Sequence, residues 1–374
     1  MTHYMQSLVF LVIANDLDHV NIESRAIGGS EFQFYSLINL LKNKYNITCY
    51  NKKKETVVLE NVSYKNIDEF INDELASDTT IIIGRCLPQL DSLLYNKMKN
   101  NRIYLWWHDY VHRDGPSSRI PLLVGYSEEN RDIYTKTNVK DRFKNDILIP
   151  MMETKQLHHV FNSSYSKSST ISFFSEFGLH LEPHKCHMIY NCMYPKNFVD
   201  RPLPYEINAN QIVYASAWTK GLPMVLDLFQ YISSKDPSFQ LVLMSPGYEW
   251  DTVKQIVSSL KQNFGNRIII HGPSDKMKYS DIIAKSLCVM SARFPETFGC
   301  VFAESCFLGT PVIADIYSGA VREMIDPEFI VNYDDKDKVF RKLIDIRNQR
   351  TKMRIELRDE FKEKHISQQW IDLV

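Results

Sequence analysis

Glu296 and Glu304 stand eight positions apart in the segment Arg293-Phe294-Pro295-Glu296-Thr297-Phe298-Gly299-Cys300-Val301-Phe302-Ala303-Glu304. The first belongs to a tight Pro-Glu-Thr-Phe-Gly turn. The apolar run after it, Val301 to Leu308, reads as a helix closed by Gly309 and then Pro311. A strand, Leu287 to Met290, precedes the turn. Glu296 therefore falls on a strand-to-helix loop and Glu304 about two turns into the helix. A carboxylate beside Phe302, Ala303 and Phe307 is costly unless a partner hydrogen-bonds it. A ligand rich in hydroxyl groups is such a partner. The helix start beside Gly299 offers backbone N–H groups and a positive dipole end, which suit a phosphate. One short segment thus offers a phosphate site and two acceptors for hydroxyls. The plainer alternative is a loop and a helix whose glutamates face water.

To aim these groups the chain must supply a strand, a turn and a helix within a larger sheet. At 374 residues it suits two domains. Its 44% apolar and 24% charged residues are those of a soluble globular protein. A net charge of −1 creates no strong field toward nucleic acid. The first apolar run, Leu8–Ala14, is short and reads as a strand rather than a signal peptide, and no run has the length of a membrane span. Seven scattered cysteines point to reduced thiols and a cytoplasmic setting. Apolar runs at Ile47–Tyr50, Thr80–Ile83, Ile103–Trp107, His159–Asn162, Met188–Tyr190, Ile212–Ser216, Leu241–Met244, Ile268–His271 and Pro311–Ala314 alternate with helical stretches such as Glu31–Lys42 and Met224–Ser233. This alternation implies parallel α/β sheets with covered faces. The proline-rich stretch 191–210 separates two halves, each expected to be a doubly wound sheet.

Other strand ends carry glycines or ionisable groups. Gly28-Gly29-Ser30-Glu31 follows the first strand, Trp106-Trp107-His108-Asp109 ends a later one, and Ala217-Trp218-Thr219-Lys220-Gly221 follows the strand that opens the second half. His271-Gly272-Pro273 and Gly309-Thr310-Pro311 complete the pattern. With the two glutamates, these segments resemble the retaining GT-B glycosyltransferases of family 4, the glycosyl transferases group 1, and their E-x7-E motif. The resemblance implies two Rossmann-like domains facing across a cleft. Residues 1–195 would bind the acceptor and 196–355 the nucleotide-sugar, and a final helix within 356–374 would return to the first domain through Trp370 and Ile371. It implies that Glu296 contacts the donor sugar, that the backbone of Thr297, Phe298, Gly299, Cys300 and Val301 holds sugar hydroxyls and the leaving phosphate, and that Glu304 binds the ribose. Lys220 and Gly29 would meet the diphosphate, and His271 would lie near the base. His108 would stand near the reacting sugar, and Gly28, Trp107 and Asp109 on the acceptor side. Trp106 and Trp107 alternate across their strand, so one is core and the other free to line a site. The family's arginine after the first strand of the second domain is missing here, with Ser216 or Ala217 in its place. Arg293 is the candidate substitute.

The implied reaction moves a hexose from a UDP- or GDP-sugar to a hydroxyl of a glycan, lipid or other acceptor, with retained configuration and without metal or cofactor. The alternatives are a nucleotide-sugar epimerase of GT-B fold and a catalytically inactive nucleotide-sugar-binding protein. Two rival signals are weaker. Asp16-Leu17-Asp18 forms a D-x-D string of the kind that holds a metal in one-domain transferases, but two similar halves argue against that class. His180, His184, Cys186, His187 and Cys192 crowd one stretch without a recognisable zinc spacing. Lys52-Lys53-Lys54 offers a short basic run for peripheral contact with an anionic membrane. Neither donor base, acceptor nor oligomeric state can be read from the sequence.

Overall fold

The computed structural model describes residues 5–12, 29–84, 96–108, 156–176, 180–193, 198, 206–244, 259–353 and 355–374. Contacts divide the chain into two units. One holds Met1–His19, Phe34–Tyr190 and Ile366–Val374; the other holds Val20–Gln33 and Asn191–His365.

The first unit contains strands β1 (Ser7–Val12), β2 (Asn46–Asn51), β3 (Val57–Leu59), β4 (Val62–Asn66), β5 (Thr80–Gly84), β6 (Arg102–Trp107), β7 (Leu157–Phe161) and β8 (Cys186–Met188). They form one sheet in the order β3-β4-β2-β1-β5-β6-β7-β8. Every pairing is parallel except β3 with β4. Burial on both faces explains the apolar runs, and all of β5 (TIIIG) is buried. The β3–β4 hairpin gave no sequence signal, because its turn uses Glu60 (φ 47°) and Asn61 (φ 69°) rather than glycine. β8 begins earlier than the apolar run Met188–Tyr190 suggests. Helices α1 (Gly29–Leu41) and α2 (Ser164–Glu176) precede β2 and β8.

The second unit holds β9 (Asn208–Tyr214), β10 (Gln240–Met244), β11 (Ile268–His271), β12 (Ser286–Met290), β13 (Val312–Asp315) and β14 (Ile330–Val331). The order is β11-β10-β9-β12-β13-β14, all parallel. Between and after them run α3 (Leu222–Lys235), α4 (Lys276–Ala284), α5 (Cys300–Phe307), α6 (Val321–Met324), α7 (Lys336–Gln349) and α8 (Glu363–Leu373). The chain winds from β9 outward to β10 and β11, then returns to the other side of β9 with β12. The winding therefore reverses between β9 and β12. Doubly wound sheets bind ligands beyond the strand C-termini at such a reversal. The loops there are 215–221 and 291–299.

The last residues, 366–374, count with the first unit. Trp370 is fully buried, with its ring edge-on to Trp106 at 5.0 Å. The Tyr104 hydroxyl donates to the Leu373 carbonyl, and the Gln6 amide donates to the Val374 carbonyl at 3.3 Å. Among the described residues no helix is long and apolar enough to cross a membrane.

Candidate active site

The loop after β9 makes one turn of 3₁₀ helix, Trp218–Lys220, and then passes through Gly221 at φ 103°. Glycine is required there: a Cβ would stand 2.9 Å from the Cβ of Ala292, in the loop after β12. This close approach lets Lys220 reach across. Its Nζ donates to both carboxylate oxygens of Glu296, at 2.8 and 2.9 Å. It also lies 5.2 Å from the centre of the Phe294 ring. Side-chain exposure is 34% for Lys220 and 12% for Glu296. The Glu296 backbone is clamped on both sides. Its N–H donates to the Phe294 carbonyl at 2.8 Å, and its carbonyl accepts from the Ala320 N–H at 2.9 Å. Gly319, at φ 62°, touches it so closely that a Cβ would come within 2.5 Å of the Glu296 carbonyl oxygen.

Thr297 and Phe298 are buried, with the Phe298 ring 6.0 Å from that of Phe361. Gly299 (φ 83°) caps α5, and no side chain caps this helix start. The first residue of α5 is Cys300. Its Sγ lies 3.7 Å from both the Gln33 and the Asn191 side-chain amide nitrogens. Burial pushes this thiol up to about 12, so it stays protonated and is no nucleophile near neutral pH. A Cβ on Gly29 would stand 3.3 Å from the same sulfur, so Gly29 borders the start of α5. Val301 follows, half-buried. Gly28 lies outside the described residues.

Glu304 is 2% exposed. The expected partner for this carboxylate was a hydroxyl-rich ligand, but the protein supplies its own. Lys276, the first residue of α4, places its ammonium on Glu304 Oε1. Asp275 caps α4 by accepting the Lys278 N–H at 2.8 Å. Three rings surround the ammonium: Tyr279 at 4.5 Å, Phe32 at 4.6 Å and Phe198 at 5.4 Å. Such cation–π contacts fix a flexible lysine. The Tyr279 hydroxyl is held well above its ordinary pKa, first by burial and then by the Glu304 charge. His271 ends β11, half-buried, with its pKa lowered by burial first and by Lys278 second. Lys276 escaped the sequence reading because it lies 28 residues from Glu304, with no periodic pattern linking them. The Asp275 cap after His271-Gly272 was the one usable hint.

Arg293 does not take the part suggested for it. Its guanidinium bonds the fully buried Asp315 through Nε and Nη2, both at 3.1 Å, and Nη2 also reaches Asp334 at 3.1 Å and Asn332 at 3.2 Å. The Asp315 carboxylate in turn accepts the backbone N–H groups of Tyr317 and Tyr333. Arg293 is the counterion of a buried aspartate, so its charge is already committed.

His108 and Trp107 belong to the first unit. His108 is buried against Trp106 (4.3 Å between ring centres) and Phe34 (5.0 Å). Trp107 is buried on the opposite face, near Phe174 of α2, and its indole N–H donates to His159 Nδ1 at 3.1 Å. The expectation that one of the two tryptophans stands free of the core therefore fails. The Trp106 face is covered by Phe34 of α1 and Trp370 of α8, and the Trp107 face by α2. Asp109 and the Asp16-Leu17-Asp18 string lie outside the described residues. From the histidine-rich stretch, His187 Nε2 shares a hydrogen bond at 3.0 Å with His158 Nδ1 of β7. Among the described residues no group of three or more His, Cys, Asp or Glu is gathered to hold a metal ion.

Residues 209–367 match the family described as Glycosyl transferases group 1. A comparison with curated proteins finds no match. Among solved structures, Anabaena Alr3699/HepE in complex with UDP-glucose is 14% identical, with 98% of each chain covered and a TM-score of 0.65. Sucrose-phosphate synthase from Thermosynechococcus elongatus is 13% identical, with 98% of each chain covered and a TM-score of 0.67. WaaG, a glycosyltransferase involved in lipopolysaccharide biosynthesis, is 10% identical, with 98% of this chain and 99% of that chain covered and a TM-score of 0.62. Residues 209–367 thus resemble the glycosyl transferases group 1 family, and the chain has the GT-B fold across nearly its whole length.

Proposed function

We propose that this protein is a retaining glycosyltransferase that moves a hexose from a nucleoside-diphosphate sugar to a hydroxyl group. One observation carries the reading. Lys220 and Glu296 come from different strand-end loops and meet at 2.8 Å where the winding of the second sheet reverses, beside the uncapped start of α5. A cation and a helix N-terminus suit a diphosphate. A clamped carboxylate beside them suits sugar hydroxyls. The resemblance adds Glu304 for the ribose, His271 near the base, and the Thr297–Val301 backbone for the sugar. HepE holds UDP-glucose, which favours a UDP-sugar over a GDP-sugar here.

In this reading the donor diphosphate takes the Lys220 ammonium from Glu296, and Glu296 turns to the sugar. The bond between the anomeric carbon and the phosphate oxygen breaks, and the acceptor oxygen bonds that carbon on the same face. The acceptor proton passes to the leaving diphosphate, so no separate base is needed. Lys220 and the start of α5 stabilise the charge that develops on the leaving group. The protein supplies this charge, so a chelator should leave turnover unchanged. The acceptor is a glycan, lipid or other hydroxyl compound, and the resemblance assigns His108, Gly28 and Asp109 to that side.

The test is donor hydrolysis and thermal stabilisation with UDP-, GDP- and ADP-sugars, for wild type, Glu296→Ala and Lys220→Ala. Stabilisation by one nucleotide class, with hydrolysis lost in both variants, is the expected result. Binding without turnover across an acceptor panel would mean a binding protein. Absence of any nucleotide binding would sink the donor site.

A further inference from the structure

We infer that Lys276 is a positioning residue that makes Glu304 a fixed, charged acceptor for ribose hydroxyls and so sets a preference for ribonucleotide donors. This rests on the donor-site reading above. Glu304 is nearly inaccessible on an apolar helix, where a lone carboxylate would be costly to keep charged. Among the described residues the neighbouring ionisable side chains are few. From α4 come Lys276 and Tyr279; from the first turn of α5 comes Cys300, a neutral thiol. Lys276 is thus the cation on Glu304 among the described residues. Its ammonium is hemmed in by Tyr279, Phe32 and Phe198, which leave Glu304 as its anionic partner. With Oε1 held by the ammonium and the Tyr279 hydroxyl beside it, the carboxylate is fixed in place for a diol. A site built to bond a hydroxyl discriminates strongly against the analogue lacking it, because a buried polar group then loses its partner.

The experiment compares UDP with 2′-deoxy-UDP by titration calorimetry, with GDP and 2′-deoxy-GDP beside them. The proteins are wild type, Lys276→Met, Lys276→Gln, Lys276→Arg, Glu304→Gln and the Lys276→Met/Glu304→Gln double variant, each checked for folding by circular dichroism. Wild type should prefer the ribonucleotide about tenfold or more, the range of one charge-assisted hydrogen bond. Lys276→Met and Lys276→Gln should lose that preference, Lys276→Arg should restore part of it, and the double variant should be no worse than Glu304→Gln. A residue that merely stabilises the fold would weaken both nucleotides equally. If Glu304→Gln loses the preference while Lys276→Met and Lys276→Gln keep it, the inference is overturned alone. If Glu304→Gln keeps it, or wild type binds no nucleotide, the donor-site reading falls and takes the inference with it.

Discussion

Two lysine–glutamate pairs are built on the two glutamates of the same signature segment, and they differ in almost every physical respect. Lys220 and Glu296 sit on loops, 34% and 12% exposed, bonded through both carboxylate oxygens. Lys276 and Glu304 sit on helices, 21% and 2% exposed, and aromatic rings enclose the ammonium. Water screens the first pair, so its attraction is weak and a charged ligand can take over either member. The second pair lies in lower dielectric, where separating the partners is expensive. The exposed pair can exchange partners during a reaction, while the enclosed pair can only present a fixed surface.

The largest expected effect comes from the exposed pair. Lys220→Met or Glu296→Gln should lower turnover about 10²–10³-fold, the usual loss when one group that stabilises developing charge is removed. The same variants should change unfolding free energy by less than about 1 kcal/mol. Steady-state donor kinetics and denaturant titration read the two quantities. A large stability loss would erase the contrast. For the enclosed pair the balance reverses. Lys276→Met should cost about 2–3 kcal/mol of stability, below the full value for a buried pair because Lys276 is partly exposed. Unfolding curves that match wild type would show that the cage adds nothing.

Gly319→Ala should cost about 1–3 kcal/mol, since it forces a left-handed backbone on alanine and drives a methyl into the Glu296 carbonyl. Because that carbonyl belongs to the exposed pair, turnover should fall with stability. A variant with full turnover would mean that the clamp does not aim Glu296. An effect of pH rather than of substitution lies in the first unit, where burial lowers His159 to about 3 and His158 to about 4. His159 Nδ1 accepts the Trp107 indole N–H, so protonation there would break the bond. The unfolded chain takes up these protons near its ordinary histidine pKa, before the folded chain does. Stability is therefore full above about pH 6.5 and declines as the pH falls toward 4, by about 1 kcal/mol per unit for each histidine. His159→Gln, which keeps an acceptor for the indole, should flatten the slope. An unchanged slope in pH-dependent melting would show that His159 titrates normally.

What the sequence disclosed follows from what local physics can signal. The runs at Thr80–Ile83 and Leu287–Met290 were legible because strands buried on both faces tolerate few polar residues. The β3–β4 hairpin was not, since Glu60 and Asn61 adopt conformations usually marked by glycine. The two residues of β14 are too few for any pattern. Glu296 and Glu304 stood out by spacing, and Lys220 by its strand-end position. Lys276 did not, because it meets Glu304 only through the fold. Arg293 was misjudged for a related reason. Its place beside the Glu296 loop was visible, but the buried Asp315 that claims its charge lies 22 residues away. Alternation along β6 correctly separated Trp106 from Trp107, yet said nothing about helices covering both faces.

The reversal of winding has a consequence for how this molecule can vary. Lys220 and Glu296 follow β9 and β12, which are hydrogen-bonded neighbours in the sheet. The described elements between them in the chain, from α3 through β11 to α4, lead away from that seam and back to it. Insertions at the exposed turn 236–238 leave the register of β9 against β12 untouched. The spacing of Lys220 and Glu296 is written in a strand pairing rather than in chain length, so it can survive considerable drift in everything the chain does between those strands.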